Sequence, residues 1–194
     1  EQPAHPHVEL VSEELDTLPP VSLNGREIAF ADNMHITWVW DVKEQLHAGE
    51  NTLEIRFDSP ILYCAKKAEE APGWESSDAT PGFRHLRKAH CMFGWDWGPR
   101  LPDAGIWRPI FLRTWDTARL ENALMLQAHH DSVVDVTIRP EIAGESAWSA
   151  EITAPDGEVL TLPETTAAEQ VITIEHPQLW WPNGLGKQPL YRVT

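Results

Sequence analysis

Residues 94–99 read Gly94-Trp95-Asp96-Trp97-Gly98-Pro99, two indoles flanking one carboxylate on a backbone that glycines and a proline keep tight and irregular. An ionised carboxylate accepts paired hydrogen bonds from adjacent hydroxyls, and an indole N–H donates one more. Flat indole faces also stack on the apolar faces of sugar rings. That composition suits carbohydrate recognition. The same residues equally describe a Trp-rich loop folded onto its own sandwich, with Asp96 capping a turn.

Other chemistry-bearing residues point less clearly. Leu179-Trp180-Trp181-Pro182-Asn183-Gly184 offers a second pair of indoles and with them a second sugar-site reading, the weaker of two. The expected role there is packing where a sandwich meets its neighbour, with Asn183-Gly184 making a turn. Arg87 and Lys88 stand close to the Trp-Asp-Trp run, where they could position Asp96 or a substrate hydroxyl, but surface salt bridges are the expected role. The histidines, including His129-His130, fit no metal-ligand spacing, and Cys64 and Cys91 make neither a disulfide framework nor a metal site. No metal and no cofactor is expected. Two reduced thiols suit a cytoplasmic protein of bacterial type.

These residues need elements to hold them, and the first third of the chain supplies β-structure. Val21 to Phe30 carries Asn24-Gly25 between two short apolar-rich arms, a strong hairpin signal. His35 to Val42 alternates, with Ile36, Trp38, Trp40 and Val42 on one face. Thr52 to Asp58 does the same with Leu53, Ile55 and Phe57. From Ser59 to Pro102 the chain turns irregular. A short helix is expected over Ile61 to Ala71, because Ile61, Cys64, Ala65 and Ala68 recur at helical spacing. After it come Pro72-Gly73, Pro81-Gly82 and Gly98-Pro99, all against regular structure. The aromatics Trp74, Phe83, Phe93, Trp95 and Trp97 argue that this stretch is an ordered, functional loop rather than disorder. Gly105 to Arg113 returns to strand, with Pro109 placing it at an edge or bulge.

A boundary is expected near Trp115-Asp116-Thr117. Beyond it come short, evenly spaced strands: Arg119 to Gln127, Val133 to Arg139, Trp148 to Thr153, Val159 to Leu162 and Gln170 to Glu175, with a Pro155-Asp156-Gly157 turn. A last strand starts at Leu190. Such spacing suggests a small immunoglobulin-like sandwich. The expected domains are therefore residues 1–116 and 117–194. Both sheets read as short of strands, the first at its N-terminal end and the second at its C-terminal end.

With 194 residues and 42% apolar content, the chain can bury a core, which argues against disorder. A formal charge of −15 disfavours nucleic acid and anionic membranes as partners, since phosphate neutralisation needs Lys and Arg. No apolar run is long enough to span a bilayer. Ten tryptophans are the oddity of the composition. Core packing is the default for most of them.

Arg87 to Arg100 (Arg-Lys-Ala-His-Cys-Met-Phe-Gly-Trp-Asp-Trp-Gly-Pro-Arg) resembles the signature of β-mannosidases of glycoside hydrolase family 2. Gly105-Ile106-Trp107-Arg108-Pro109 follows at the interval expected of that family. Leu15-Asp16-Thr17-Leu18, Leu23-Asn24-Gly25 and Ala31-Asp32-Asn33-Met34 resemble its first domain. Leu179 to Gly186, with Gln188-Pro189-Leu190-Tyr191, resembles the end of its second. Two features depart from the family pattern: His35, where Phe is common, and Pro19-Pro20, where a strand normally runs.

The resemblance, which runs from about Leu10 to the C-terminus, implies an all-β chain. A truncated jelly-roll, galactose-binding-domain-like sandwich would be followed by an immunoglobulin-like β-sandwich, and in the family a catalytic (β/α)8 barrel comes next. It implies that Trp95, Asp96 and Trp97 bind the terminal mannose of a β-mannoside or oligosaccharide, Trp97 being the one most suited to a supporting role. Retaining glycosidases use two carboxylates about 5–5.5 Å apart. The resemblance puts both on the barrel, so no catalytic residue is expected here and the fragment alone is expected to be inactive. The competing readings are a free-standing carbohydrate-binding module, a scaffold sandwich without sugar contact, and another family-2 specificity such as exo-β-glucosaminidase or β-galactosidase.

Overall fold

The computed structural model describes residues 4–94 and 98–194, which form two compact units, Glu1–Asp116 and Thr117–Thr194. Apart from a single eleven-residue helix and short 3-10 turns, the regular structure among the described residues is antiparallel β-sheet. The chain is all-β, with one jelly-roll-like unit and one immunoglobulin-like sandwich.

In the first unit, β1 (His7–Glu13) lies between β5 (Thr37–Asp41) and β8 (Ile110–Trp115). A second sheet has β3 (Pro20–Leu23) between β4 (Arg26–Phe30) and β6 (Leu53–Ile55). Val8 and Leu10 of β1 meet Val21 and Leu23 of β3, with Leu15, Ala31, Val42 and Leu46 completing the core. Trp38 and Trp40, two apart on β5, stack with ring centroids 6.1 Å apart and pack on this core as the alternation of that strand requires. Across the sheet, Glu9 of β1 faces Asp41 on one side and Arg113 on the other. Arg113 donates to one Glu9 carboxylate oxygen from Nε at 2.9 Å and Nη2 at 2.6 Å, which offsets the like-charge neighbour.

Strand β1 has no counterpart in the sequence-based expectations, although it is the middle strand of its sheet. Val8, Leu10 and Val11 are all buried, so the strand is covered on both faces and lacks a clean polar alternation.

The β3–β4 hairpin turns at Asn24 and Gly25, with φ of 52° and 78°, as the dipeptide predicts. Asn24 also does what a glycine cannot. Its side-chain nitrogen donates to Gln45 O and to Asn51 Oδ1, and its oxygen accepts from Thr52 N, each at 2.8 Å. Those bonds tie the hairpin to the loop that leads into β6. Pro20 heads β3, the strand position where a missing N–H costs least, so the Pro19-Pro20 departure is accommodated at the strand's start.

Helix α1 (Pro60–Glu70) begins where Ser59 accepts a hydrogen bond from Leu62 N and Pro60 occupies the first turn. Pro109 divides its stretch into β7 (Gly105–Ile106) and β8, and β7 pairs with β2 (Leu15–Asp16).

The second unit packs two three-stranded sheets. One has β10 (Val133–Gly144) between β13 (Gln170–Glu175) and β9 (Ala118–His129); the other has β11 (Trp148–Thr153) between β12 (Val159–Thr165) and β14 (Arg192–Val193). Alternate residues Val134, Val136 and Ile138 meet Ala150, Ile152, Leu162 and Ile174 between them. The Pro155-Asp156-Gly157 turn forms, with Gly157 at φ 93° and its N–H donating to Ala154 O. The strands here run longer than the sequence predicts at β9, β10 and β12; β9 and β10 stay paired past Pro140 and through a register shift between Glu141 and Ile142 as far as Gly144, and β12 pairs out to Thr165.

Candidate functional site

Trp95, Asp96 and Trp97 lie outside the described residues; the stems on either side of them are described. Phe93, on the N-terminal stem, is fully buried against Leu18, Cys64 and Leu86, beside Phe83 at 6.2 Å. Its carbonyl accepts from Thr80 N at 3.0 Å and Thr80 Oγ1 at 3.3 Å. Phe93 is an anchor in the core, so the expectation that the whole Phe93–Pro99 loop faces a sugar does not extend to Phe93. Gly94 follows at φ 98° and ψ 165°, a region open essentially to glycine. A Cβ there would stand 3.1 Å from Asp78 O and 2.6 Å from Arg100 Cγ. On the other stem, Leu101 N donates to Met92 O at 2.9 Å and Arg100 Nη2 to Ser77 O at 3.2 Å.

Beneath the stems sits a feature that charge rules alone do not predict. Lys88 is 1% exposed and its ammonium forms an ion pair with Asp16, itself 4% exposed. Thr17 Oγ1 donates to the other Asp16 oxygen at 3.3 Å, and Asp103 Oδ1 stands 3.8 Å from the Lys88 ammonium. The expected surface salt bridge at Lys88 is therefore corrected to a buried one; Arg87, by contrast, is exposed. A lysine can be buried this way only because the pairing and hydrogen bonding compensate for lost hydration.

Stretches far apart in sequence meet here. Asp16 belongs to the 15–18 motif, and its strand partner Gly105 opens the 105–109 motif. Met34 N donates to Arg87 O at 2.9 Å, and Asn33 forms a bridge with Arg87. The buried pair and these backbone bonds together link the 15–18, 31–34, 87–100 and 105–109 segments.

Helix α1 and the 71–86 loop brace the same region. Gly82, at φ 81°, lies so close to the helix that a Cβ would meet Cys64 O at 2.0 Å. Glu75 accepts from Gly82 N at 2.7 Å and pairs with Arg84, whose Nη1 donates to Trp74 O at 3.0 Å. Burial, reinforced by the charge of Glu75, pushes the Cys64 thiol up to about 11. Cys91 is exposed and unpaired. Iodoacetamide at pH 8 should therefore alkylate Cys91 and spare Cys64 until the protein is unfolded, as peptide mass mapping would show. Alkylation of both thiols in the native protein would contradict this picture of the packing.

In the second unit, Trp180 and Trp181 are half-exposed and line an apolar groove of about 510 Å³ with Met125, Leu179, Leu190 and Tyr191. The 182–185 turn forms, with Leu185 N donating to Pro182 O at 3.0 Å and Gly184 at φ 85°. His129 and His130 are exposed, and His130 Nε2 lies 3.2 Å from Asp135. A hydrogen bond from the Thr173 hydroxyl, with a smaller contribution from His130, holds the Asp135 carboxyl below its usual value. Among the described residues no group of three His, Cys, Asp or Glu side chains could hold a metal ion. No helix among them is long and apolar enough to cross a membrane.

Two β units, the first carrying the Trp95-Asp96-Trp97 sequence within its residues, define a class of protein. Residues 1–108 match the family described as glycosyl hydrolase 2 galactose-binding domain-like, and residues 107–194 match glycosyl hydrolases family 2. The chain belongs to glycosyl hydrolase family 2. It is similar to beta-mannosidase B of Aspergillus clavatus, with 31% identity over 205 residues, 99% of this chain and 24% of that protein. Beta-mannosidase B of Aspergillus terreus is 33% identical over 204 residues. The crystal structure of a β-D-mannosidase from Dictyoglomus thermophilum superposes with a TM-score of 0.81 at 33% identity, covering 97% of this chain and 24% of that one. An uncultured Clostridium β-glucuronidase, at 19% identity and a TM-score of 0.61, shares the fold. The chain spans about a quarter (24%) of the length of the curated relatives it matches.

Proposed function

We propose that this chain is the non-catalytic, sugar-facing portion of a β-mannosidase-like retaining exo-glycosidase that removes terminal β-D-mannosyl residues. The observation that carries the reading is the likeness to proteins named β-mannosidase along nearly the whole chain: 31% identity over 99% of it in sequence, and 33% identity over 97% of it in structure. The solved β-glucuronidase falls to 19% identity and gives no comparable support for its own specificity.

In this reading Trp95, Asp96 and Trp97 contact the terminal mannose, held by stems whose hydrogen bonds, from Thr80 N to Phe93 O and from the Arg100 side chain to Ser77 O, resist displacement. The acid/base and nucleophile carboxylates belong to a (β/α)8 barrel of the same polypeptide, set about 5–5.5 Å apart as retention requires. The substrate is a β-mannoside or a mannose-terminated oligosaccharide, with no cofactor. The compartment we assign is a bacterial cytoplasm, a reading supported by an exposed thiol without a disulfide partner.

The test compares this chain with its full-length parent on 4-nitrophenyl β-D-mannoside. The parent should release nitrophenol, and the isolated chain should stay at the blank rate. Hydrolysis by the isolated chain, or a parent active on another glycoside but inert on mannosides, would overturn the reading.

A further inference from the structure

Trp74 is 86% exposed, the most exposed of the large apolar side chains among the described residues. Its backbone is nevertheless held on both sides. Arg84 donates to the Trp74 carbonyl, and the adjacent Glu75 carboxylate takes Gly82 N and pairs with Arg84. Gly73 is packed so close to the Arg84 guanidinium that a Cβ there would meet Nη1 at 2.2 Å. An indole on a braced mount with its ring in solvent is placed to receive something.

The surroundings say what. The neighbours in sequence are Glu75, Ser76, Ser77 and Asp78, with Ser77 and Asp78 exposed and Glu75 and Ser76 partly so. The centre of a protein–protein contact is depleted in charge around its aromatics. A pyranose ring asks for the opposite, an apolar face to stack on with hydroxyl and carboxylate partners about its edge.

The position also fits. Ser77 O accepts from Arg100, Asp78 O lies against Gly94, and Thr80 N bonds to Phe93 O, so the 74–80 segment runs along the stems that carry residues 95–97. From Trp74 to Asp78 the chain spans at most about 14 Å, on the order of two or three linked sugar rings.

Resting on the reading of residues 95–97 given above, we infer that Trp74 is a stacking residue for the leaving-group side of an oligosaccharide substrate. Because an exo-acting site takes the terminal sugar, any further ring lies on the leaving-group side. Trp74 therefore sets the preference for oligosaccharides over simple mannosides and takes no part in bond cleavage.

The experiment uses the full-length parent and measures kcat/KM on β-1,4-mannotriose and on methyl β-D-mannopyranoside, which has no second ring. Trp74→Ala should lower the trisaccharide-to-methyl-mannoside ratio on the order of tenfold. Trp74→Phe, keeping a smaller ring, should fall between, with Tm unchanged in both. An unchanged ratio with a lowered Tm would mean the indole packs against another part of the protein and would overturn the inference. An unchanged ratio with an unchanged Tm would overturn it as well. A wild-type parent inert on both mannosides would remove the functional reading and this inference with it.

Discussion

Replacing Lys88 by Ala should cost the protein about 3–5 kcal/mol, a loss visible as a lower urea midpoint by tryptophan fluorescence. The physical reason is asymmetry. While both partners are present, the Lys88 ammonium and the Asp16 carboxylate compensate each other's lost hydration, and Thr17 satisfies a remaining oxygen. Remove the ammonium, and Asp16 is left 4% exposed with a charge and only a hydroxyl to meet it. Asp16→Ala should also destabilise, though less, because Asp103 stands 3.8 Å from the ammonium and its side chain is free to approach from solvent. Replacing both together, Lys88→Met with Asp16→Leu, should recover most of the loss, since neither charge then remains unpaired. A Lys88→Ala stability within about 0.5 kcal/mol of wild type would mean the pair is dispensable and the backbone bonds alone hold the segments around Arg87 and Lys88.

How much of this was legible beforehand depended on the kind of signal. The Asn24-Gly25 hairpin and the Ser59-Pro60 helix start could be read because each rests on local backbone chemistry of one or two residues. Strands β10, β11, β12 and β13 could be read because the more buried residues alternate with exposed ones, which prints a period of two on the sequence, whereas β9 has no buried residue. Strand β1 could not, because Val8, Leu10 and Val11 are buried on opposite faces and the alternation is lost. The Lys88–Asp16 pair was hidden for a different reason. Lysine is a surface residue by default, and the partner that permits its burial lies 72 positions away. In the 71–93 stretch no periodicity distinguishes Trp74 from Phe83 and Phe93. Only the folded packing sends one ring to solvent and the other two toward Leu18, Cys64 and Leu86. The candidate site is a different case: its residue types suggest a ligand class, and Trp95, Asp96 and Trp97 themselves lie outside the described residues. What the sequence left out was the mount: Phe93 as anchor, Gly94 in a glycine-only conformation, and Thr80, Ser77 and Met92 gripping the stems.

Asp96→Ala in the full-length parent should reduce kcat/KM for a β-mannoside on the order of 10²- to 10⁴-fold. The estimate follows from the chemistry assigned to the carboxylate. Each hydrogen bond from a sugar hydroxyl to an ionised acceptor is worth about 1.5–3 kcal/mol, and a carboxylate addressing two adjacent hydroxyls makes two. Asp96→Asn keeps the shape and one acceptor while losing the charge, so it should recover only part of the activity. The stems explain why the effect should stay confined to activity. Phe93 is held by core contacts and the Thr80 bonds, and Arg100 by Ser77, and none of these uses the Asp96 side chain. The urea midpoint of Asp96→Ala should therefore match wild type, in contrast with Lys88→Ala, where stability falls. A carboxylate that merely caps its own turn gives the reverse pattern, with stability lowered by about 0.5–2 kcal/mol and kcat/KM unmoved. Measuring both quantities on the one variant separates the two roles. A kcat/KM within twofold of wild type would leave the chain a scaffold that touches no sugar through Asp96.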